Sequence, residues 1–343
     1  MKAAVLRKFG EPLSIEQIDK PTPGPQEVLI RVHACGIDGT DLKLIDGFGY
    51  HPQLPFVMGH EPAGVVDQIG VEVSDVRVGD HVVTYNFFTC GQCAICRGDR
   101  EQLCPHMAAV LGVKGWPGGY AEYLKVPARQ VVAVPRGISF EDAAVLCDAG
   151  ITAFHAVERS RATRGETVLV FGVGGVGSFA VQFAKMSGAR VIAVDTSESK
   201  CARALELGAD STINGVQQDV TAEVRRLTGD WGVDCVIDIV GREATMVAGV
   251  DSLRNGGRIV IVGYTPEVYH LSGKQLAQNE LELIGARCGR KCDLIATVRH
   301  VAGGRISSIV TDAFPLDQVN EALALLRSGQ VLGRCVLRME EQR

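Results

Sequence analysis

The sequence has no run of basic residues and no tract that repeats or has low complexity, and its 343 residues carry a formal net charge of −5. We therefore expect no nucleic-acid partner. The segment Met1–Gly10 has no apolar stretch long enough for a signal peptide, which predicts a cytoplasmic protein. In that reducing compartment the eleven cysteines are expected to be metal ligands or small buried residues rather than disulfides.

Long uncharged runs are scarce, and the main one is Val168–Ala184. Five of its seventeen residues are glycine or serine, so it is a poor transmembrane span and we expect no membrane partner. A composition of 46% apolar and 22% charged residues is ordinary for a globular protein. The chain length predicts about two domains.

A glycine turn joins a buried strand to a helix near the middle of the chain. The run Thr167–Phe171 has no polar alternation, which predicts a parallel strand buried on both faces. The pattern G-x-G-x-x-G follows, and a helix is predicted over Val176–Ser187. A second apolar strand, Arg190–Val194, ends at Asp195. The turn residues assigned to a dinucleotide are Gly172, Gly174, Gly175, Val176 and Gly177.

The order of strand, turn, helix and acid is typical of dinucleotide binding. Glycines let the backbone approach a pyrophosphate, whose charge the N-terminus of the helix stabilises. The Asp195 carboxylate would accept hydrogen bonds from the adenosine ribose and repel a 2′-phosphate. The sequence therefore predicts NAD rather than NADP as cofactor.

Two different patterns of predicted secondary structure indicate two kinds of domain. Residues 1–150 are punctuated by Gly and Pro, which predicts a barrel-like β unit. Strands and helices alternate from Glu166 onward, and with a turn at Asn255–Gly257 they give about six parallel strands in a doubly wound sheet. The fold class is therefore α/β. A helix at Leu316–Ser328 and a strand at Arg334–Arg338 lie outside that count. Strands of the β unit are predicted at Glu27–Ala34, Gly64–Ile69, His81–Asn86 and Ala121–Val126, before a helix at Thr152–Ser160.

The most specific local pattern is a loop of four cysteines separated by 2, 2 and 7 residues. Four thiolates can close a tetrahedron around one zinc ion and leave no open position, which predicts a structural zinc site. Unliganded thiols or an iron–sulfur cluster are the alternatives, although the loop lacks the Cys-Pro of ferredoxin-type runs. The predicted ligands are Cys90, Cys93, Cys96 and Cys104.

Five motifs together resemble the zinc-dependent medium-chain dehydrogenase/reductase superfamily over nearly the whole chain. They are Gly59-His60-Glu61, the four-cysteine loop, Gly118–Tyr123, the glycine turn with Asp195, and Gly333–Leu337. The resemblance implies a GroES-like catalytic domain at residues 1–152 with a return segment at 288–343, and a Rossmann domain at residues 153–287. It also implies an active site in the cleft between them and a homodimer or homotetramer.

The resemblance further implies a catalytic zinc with three protein ligands. The family pattern for the first ligand, Cys-x-(Ser/Thr)-Asp-x-His, matches Asp38–Lys43 here. Asp38 therefore takes the place of the cysteine, and Lys43 that of the final histidine. His60 matches the second ligand and Asp148 the third. Two anionic ligands and one imidazole still neutralise Zn²⁺, as two thiolates would.

Two alternatives compete with this ligand set. Cys35 and Cys147 lie three residues and one residue from the proposed ligands and are softer donors. The other alternative is a site that has lost its metal, as in quinone and enoyl reductases of the same superfamily. In either case Glu61 and Asp41 are expected to orient the side chains around them.

The activity implied by the resemblance is the NAD-linked interconversion of a small-molecule alcohol or polyol and its ketone or aldehyde. Thr40 would pass the substrate proton outward, and Lys43 would need a lowered pKa to accept it. His60 and Glu61 complete the predicted catalytic set. Further positions matched to the cofactor are Lys200 at the ribose, Val262, and Arg334 at the pyrophosphate, and Phe48 and Trp116 are assigned to the substrate pocket by loop position.

Two other functions stay open. The stretches Asp38–Phe48 and Leu326–Arg334 also resemble acryloyl-CoA reductase relatives, which favours a zinc-independent reductase of an enoyl thioester or quinone. A non-catalytic dinucleotide-binding protein is the second alternative. Metal content separates the first from a dehydrogenase, and any turnover excludes the second.

Overall fold

Short strands dominate residues 1–148 of the computed structural model, which describes residues 1–339. The strands are β1 (Lys2–Leu6), β2 (Ser14–Gln17), β3 (Glu27–Ile37), β4 (Phe56–Val57), β5 (Glu61–Ile69), β6 (His81–Thr84), β7 (Phe87–Phe88), β8 (Ala109–Leu111), β9 (Gly115–Trp116), β10 (Tyr123–Pro127) and β11 (Val131–Ala133). Between and after them lie α1 (Gly39–Ile45), α2 (Ala94–Arg97), α3 (Phe140–Ala144) and a π-helical turn at Leu146–Gly150.

Strands and helices then alternate, as the sequence predicts. The helices are α4 (Ile151–Ser160), α5 (Gly175–Met186), α6 (Glu198–Glu206), α7 (Val220–Thr228), α8 (Glu243–Ser252) and α9 (Gly273–Gln278). The strands are β12 (Thr167–Phe171), β13 (Arg190–Asp195), β14 (Ser211–Asn214), β15 (Val233–Asp238), β16 (Leu253–Ile261) and β17 (Glu282–Gly285). The last segment contains α10 (Lys291–Ala302), β18 (Val310–Pro315), α11 (Val319–Arg327) and β19 (Arg334–Arg338).

Contacts divide the described chain into two units. The first comprises Met1–Asp148, Arg290–Gly304 and the described residues from Ser308 onward. The second comprises Ala149–Gly289 and Arg305–Ser307. Each unit has a hydrophobic core of its own.

The central strand of the first unit is β3. It lies in a seven-stranded sheet of order β11-β6-β5-β3-β19-β18, and β10 pairs with it as well. Val28, Ile30 and Val32 alternate along β3 and share one face, which packs into the core. The strand runs three residues beyond the predicted end at Ala34, because β19 pairs antiparallel with it through Ile37. The C-terminal strand is therefore part of the first unit.

The second unit is built on a parallel sheet of six strands in the order β14-β13-β12-β15-β16-β17. This confirms the predicted doubly wound sheet. The chain proceeds from β12 to β13 on one side and returns to β15 on the other. The glycine turn follows β12 at this point of reversal, where doubly wound folds bind their ligands.

Two predictions made from the sequence, a turn and the absence of a membrane-spanning helix, concern residues of the second unit. The predicted turn at Asn255–Gly257 is wrong, because β16 begins at Leu253 and runs through these residues with Gly256 at φ +69°. Leu253 pairs with Val233 and Arg258 with Cys235, so residues 254–257 bulge out of the ladder between β16 and β15. Among residues 1–339, no helix is long and apolar enough to cross a membrane. The uncharged run Val168–Ala184 is instead strand, turn and helix.

The four-cysteine loop of the first unit brings its sulfur atoms into one group. The Sγ–Sγ distances are 3.5 Å for Cys93–Cys96, 3.6 Å for Cys90–Cys104, 3.9 Å for Cys90–Cys96 and 4.0 Å for Cys93–Cys104. Tetrahedral zinc with Zn–S bonds of about 2.3 Å holds its sulfur ligands roughly 3.8 Å apart. Backbone amides of Gln92 and Cys93 lower the pKa of Cys90 to about 6, whereas burial and the neighbouring cysteines raise the pKa of Cys96 to about 12. The loop is a structural zinc site.

We predict that Cys104→Ser lowers the zinc content by one ion per chain and reduces the melting temperature, because the ligand bonds of a closed site contribute to folding. NAD affinity of the folded fraction should change little, since the loop lies in the other unit from the glycine turn. Elemental analysis and thermal unfolding test this, with the buried Cys201→Ser as control. Unchanged zinc in Cys104→Ser would contradict the assignment.

Candidate active site

Two carboxylates and one imidazole meet in the first unit. The Nε2 atom of His60 lies 3.7 Å from Oδ1 of Asp38 and 3.9 Å from Oδ2 of Asp148. One donor atom from each residue lies within 4.8 Å of the other two. The structure thus brings together the three residues predicted to bind the catalytic metal.

Asp38 is held by the N-terminus of α1, which it caps. Its Oδ1 accepts hydrogen bonds from the backbone N–H groups of Thr40 at 2.8 Å and Asp41 at 3.3 Å. Its Oδ2 accepts one from the Thr40 hydroxyl at 3.2 Å. Aspartate is a favoured N-cap, and the helix dipole stabilises its charge. A carboxylate has about four acceptor positions, so capping leaves capacity for a metal ion.

His60 is set by its neighbours on both sides. Gly59, just before it, has φ +96°, a backbone conformation that favours glycine. The His60 side chain is buried, and its Nδ1 atom lies 3.7 Å from Oδ1 of Asp41. In the described chain neither of these two atoms has a hydrogen-bond partner. Asp41 is therefore placed to orient the imidazole.

Asp148 lies in the π-helical turn Leu146–Gly150. Such turns insert one extra residue into a helix and are frequent at functional sites. The Asp148 carboxylate faces His60, whereas the adjacent Cys147 thiol donates a hydrogen bond to the Pro62 carbonyl oxygen at 3.5 Å. Burial raises the pKa of both Cys147 and Cys35, which disfavours their thiolates. Neither cysteine belongs to the groups of potential metal-binding side chains found in residues 1–339.

Arg334 offsets part of the negative charge of the site. Its guanidinium forms a bidentate pair with Glu61, with Nη2–Oε1 at 2.5 Å and Nε–Oε2 at 3.1 Å. Nη2 also lies 3.7 Å from Asp38 Oδ2 and 3.8 Å from Asp148 Oδ2. Sequence reasoning missed this position, because Arg334 and Glu61 are 273 residues apart and the motif only matched Arg334 to the cofactor. Its contact with a pyrophosphate stays a prediction.

Buried acids outnumber cations in this cluster. Burial raises the pKa of Glu61 to about 7 and also raises the pKa of Asp38. Burial alone would lower the pKa of His60, but the carboxylates around it raise that pKa well above its usual value. A divalent cation would offset the excess negative charge and displace a proton from the imidazole. The buried acids are Asp38, Asp41 and Glu61, and the partly exposed Asp148 completes the group.

The donor set fits a catalytic zinc ion. Zn²⁺ binds imidazole nitrogen and carboxylate oxygen, and catalytic zinc has three protein ligands with one position open to substrate. Asp38, His60 and Asp148 supply these three donors, and Asp148 is the most accessible, with 19% of its side chain exposed. The arrangement can therefore polarise a substrate oxygen.

The first unit also contains the residues that the sequence predicts for proton transfer and for the substrate pocket. Thr40 and Lys43 lie on α1 after Asp38. Burial lowers the pKa of Lys43, although the Asp38 carboxylate raises it, and this lowering is what a lysine base requires. The Trp116 ring stacks on Phe88 with centroids 4.8 Å apart. The assignment of Trp116 and Phe48 to the substrate pocket stays a prediction.

The glycine turn of the second unit has the geometry that close packing requires. Gly172 has φ +84°, and a Cβ on Gly177 would lie 1.7 Å from the Gly172 carbonyl oxygen. A Cβ on Gly174, in contrast, would meet no atom within 4 Å. The protein itself leaves that space open, which fits the approach of a pyrophosphate. The helix α5 begins there, at Gly175-Val176.

Asp195 ends β13 next to this turn. Its Oδ2 accepts a hydrogen bond from the Val173 N–H at 2.8 Å, and its Oδ1 accepts one from the Ser197 N–H at 3.0 Å. These bonds fix the carboxylate and leave lone pairs for ribose hydroxyls. Lys200 lies in the first turn of α6, and the Val262 N–H donates to the Asp238 carbonyl oxygen after β16. Their roles at the cofactor stay predictions.

Comparison with known proteins gives matches along the whole chain. The family model "Alcohol dehydrogenase GroES-like domain" matches residues 24–136, and the model "Zinc-binding dehydrogenase" matches residues 175–303. An alcohol dehydrogenase of Geobacillus stearothermophilus is 35% identical over 99% of this chain and 100% of its own length. An NAD-dependent alcohol dehydrogenase of Saccharolobus solfataricus is 34% identical over 98% of this chain and 99% of its own.

This chain is also similar to a solved structure along nearly its whole length. The crystal structure of AibC superimposes with a TM-score of 0.93 at 39% identity, covering 99% of this chain and 96% of that chain. The predicted fold class, a GroES-like β-rich domain plus a Rossmann domain, is confirmed, and so is the predicted class of enzyme, an oxidoreductase. The chain belongs to the zinc-dependent, alcohol dehydrogenase-like family of medium-chain dehydrogenases/reductases.

Proposed function

We propose that the protein interconverts an alcohol or polyol and its ketone or aldehyde, with NAD as cofactor and a zinc ion held by Asp38, His60 and Asp148. The observation that carries the proposal is the convergence of these three donors where buried negative charge is in excess. When bound, zinc supplies Lewis acidity toward the substrate oxygen, and NAD exchanges the hydride.

The residues around the ligands have separate tasks. Glu61 and Arg334 form an ion pair that keeps the positive guanidinium close to the proposed ligands. Asp41 orients the His60 imidazole. As the Thr40 hydroxyl accepts the proton of the substrate hydroxyl, it gives up its own proton. Lys43, whose pKa is lowered by burial, then accepts that proton as a neutral amine.

The proposal also covers the substrate size, the assembly and the cellular location of the enzyme. The family acts on small-molecule substrates. We propose further that the protein is a cytoplasmic homodimer or homotetramer, as its resemblance to the family implies. Light scattering on purified protein tests the assembly.

The ligand assignment predicts that Asp38→Ala and Asp148→Ala each release the catalytic metal and lower alcohol oxidation at least about 100-fold, because even outer-shell changes cost 10- to 100-fold. Asp38→Asn is the sharper variant, since an amide oxygen still caps α1 but the ligand charge is gone. Zinc content and turnover of alcohols with NAD⁺ are measured.

The matched controls are Cys35→Ala and Cys147→Ala, which should leave metal and activity nearly intact. Cobalt and manganese should replace zinc more readily than at a two-cysteine site, because oxygen ligands favour zinc less. Anomalous density for a metal bonded to either sulfur would overturn the assignment. No metal beside His60 at saturating zinc, with turnover of enoyl thioesters, would favour the zinc-independent reductase.

Cofactor choice is tested by Asp195→Ser. Hydrogen bonds to a charged group contribute about 1.5–3 kcal/mol, so kcat/KM for NAD⁺ should fall roughly 10- to 100-fold. Use of NADP⁺ should rise as the repulsive charge is lost. Asp219→Ser, which retains a residue able to cap α7, is the control. Wild-type protein that uses both cofactors equally well would refute this role of Asp195.

The proton relay predicts a pH dependence. Only the neutral amine of Lys43 accepts a proton, so alcohol oxidation should rise with pH through the pKa of Lys43, below the ordinary lysine value of about 10.4. Lys43→His should move this limb toward about 6.5, and Lys43→Met should reduce kcat roughly 100-fold. Lys125→Met serves as control. A Lys43→Met profile that superimposes on wild type would exclude Lys43 from the relay.

A further inference from the structure

A tyrosine hydroxyl lies beside the acid that faces His60. Tyr120 is 0% exposed, and its hydroxyl donates a hydrogen bond to Oδ2 of Asp41 at 2.8 Å. The hydroxyl also lies 3.4 Å from the Gly36 carbonyl oxygen. A hydroxyl that is buried this deeply and bonded to a carboxylate fixes the orientation of that carboxylate.

Asp41 connects this hydroxyl to two metal ligands. Its Oδ2 accepts a second hydrogen bond, from the Asp38 backbone N–H at 2.9 Å. Its Oδ1 lies 3.7 Å from Nδ1 of His60, and both atoms are buried without another partner within residues 1–339. Each atom is therefore the available partner of the other. Metal-bound histidines commonly donate their second N–H to such a carboxylate.

The aromatic ring of Tyr120 contacts the chain segment that carries the second proposed ligand, His60. A Cβ on Gly59 would lie 2.4 Å from this ring, so the ring packs directly on the residue that precedes His60. The Tyr120 N–H donates to the Met58 carbonyl oxygen at 3.0 Å. Tyr120 thus contacts both chain segments that carry the first two ligands.

We propose that Tyr120 is a positioning residue of the catalytic metal site. Its hydroxyl holds Asp41 in the rotamer in which one oxygen supports the Asp38 backbone and the other faces the His60 imidazole. The inference rests on the proposed function in one respect, namely that the metal binds at Asp38, His60 and Asp148. Tyr120 itself touches neither substrate nor metal.

The test is Tyr120→Phe, which removes the hydroxyl and keeps the ring on Gly59. Zinc affinity of the catalytic site, measured by competition with a chelator, should fall roughly tenfold. The structural zinc should stay bound, and the visible spectrum of the cobalt-substituted catalytic site should shift. The rate constant kcat should fall while KM for NAD⁺ is unchanged. Tyr123→Phe is the matched control, because Tyr123 lies on β10 with its ring against Lys20.

A double-mutant cycle with Asp41→Asn shows whether Tyr120 acts through Asp41. The two effects on zinc affinity should be less than additive, since the residues share one path to His60. Wild-type zinc affinity and cobalt spectrum in Tyr120→Phe would overturn the proposal, as would fully additive effects. So would a Tyr120→Phe chain that fails to fold, because the hydroxyl would then serve the fold. The metal readouts stay decisive even if the wild type oxidises no alcohol, and that outcome would count against the proposed function alone.

Discussion

The constraint on which this site depends is the burial of negative charge. An isolated carboxylate in a protein interior is unfavourable unless a cation or several hydrogen bonds compensate it. Arg334 compensates Glu61 directly and stands slightly farther from Asp38 and Asp148. The Arg334 guanidinium and the His60 imidazolium carry fewer charges than the four acids around them, so the first unit keeps a deficit of positive charge at His60. A divalent cation is the species that fits this deficit, which is why the geometry favours a metal-dependent dehydrogenase over a reductase that has lost its metal.

Aspartate at position 38 has two roles that cysteine would combine less well. As the cap of α1 it accepts hydrogen bonds from two backbone amides, and a thiolate is a weaker acceptor. As a ligand it preserves the negative charge that zinc requires, while its oxygen is a harder donor than sulfur. With Asp38 as the proposed ligand, the departure from the family pattern would change the metal selectivity of the site without changing its charge. Metal specificity would be lower, and the bound ion would be a stronger Lewis acid.

Much of this could be predicted from the sequence, and the failures have physical causes. Thr167–Phe171 and Arg334–Arg338 match their strands residue for residue, because an apolar run that follows or precedes a glycine leaves little ambiguity. Two adjacent glycines predicted a turn at Asn255–Gly257, whereas these residues form a bulge inside β16, between the pairs Leu253–Val233 and Arg258–Cys235. Likewise, motif positions identified Asp38, His60 and Asp148. Nothing local could show that Arg334 faces them, since that contact depends on β19 joining β3.

Burial also acts on Lys43, the proposed base of the proton relay. Two influences act on Lys43: burial lowers its pKa, and the Asp38 carboxylate raises it. A cation bound to Asp38 would offset the charge of that carboxylate and so weaken the second influence. Burial would then act with less opposition, and the pKa of Lys43 would fall further. In the proposed relay the amine would therefore accept a proton most readily with the cation bound, because the Asp38 carboxylate would act on both the metal and Lys43.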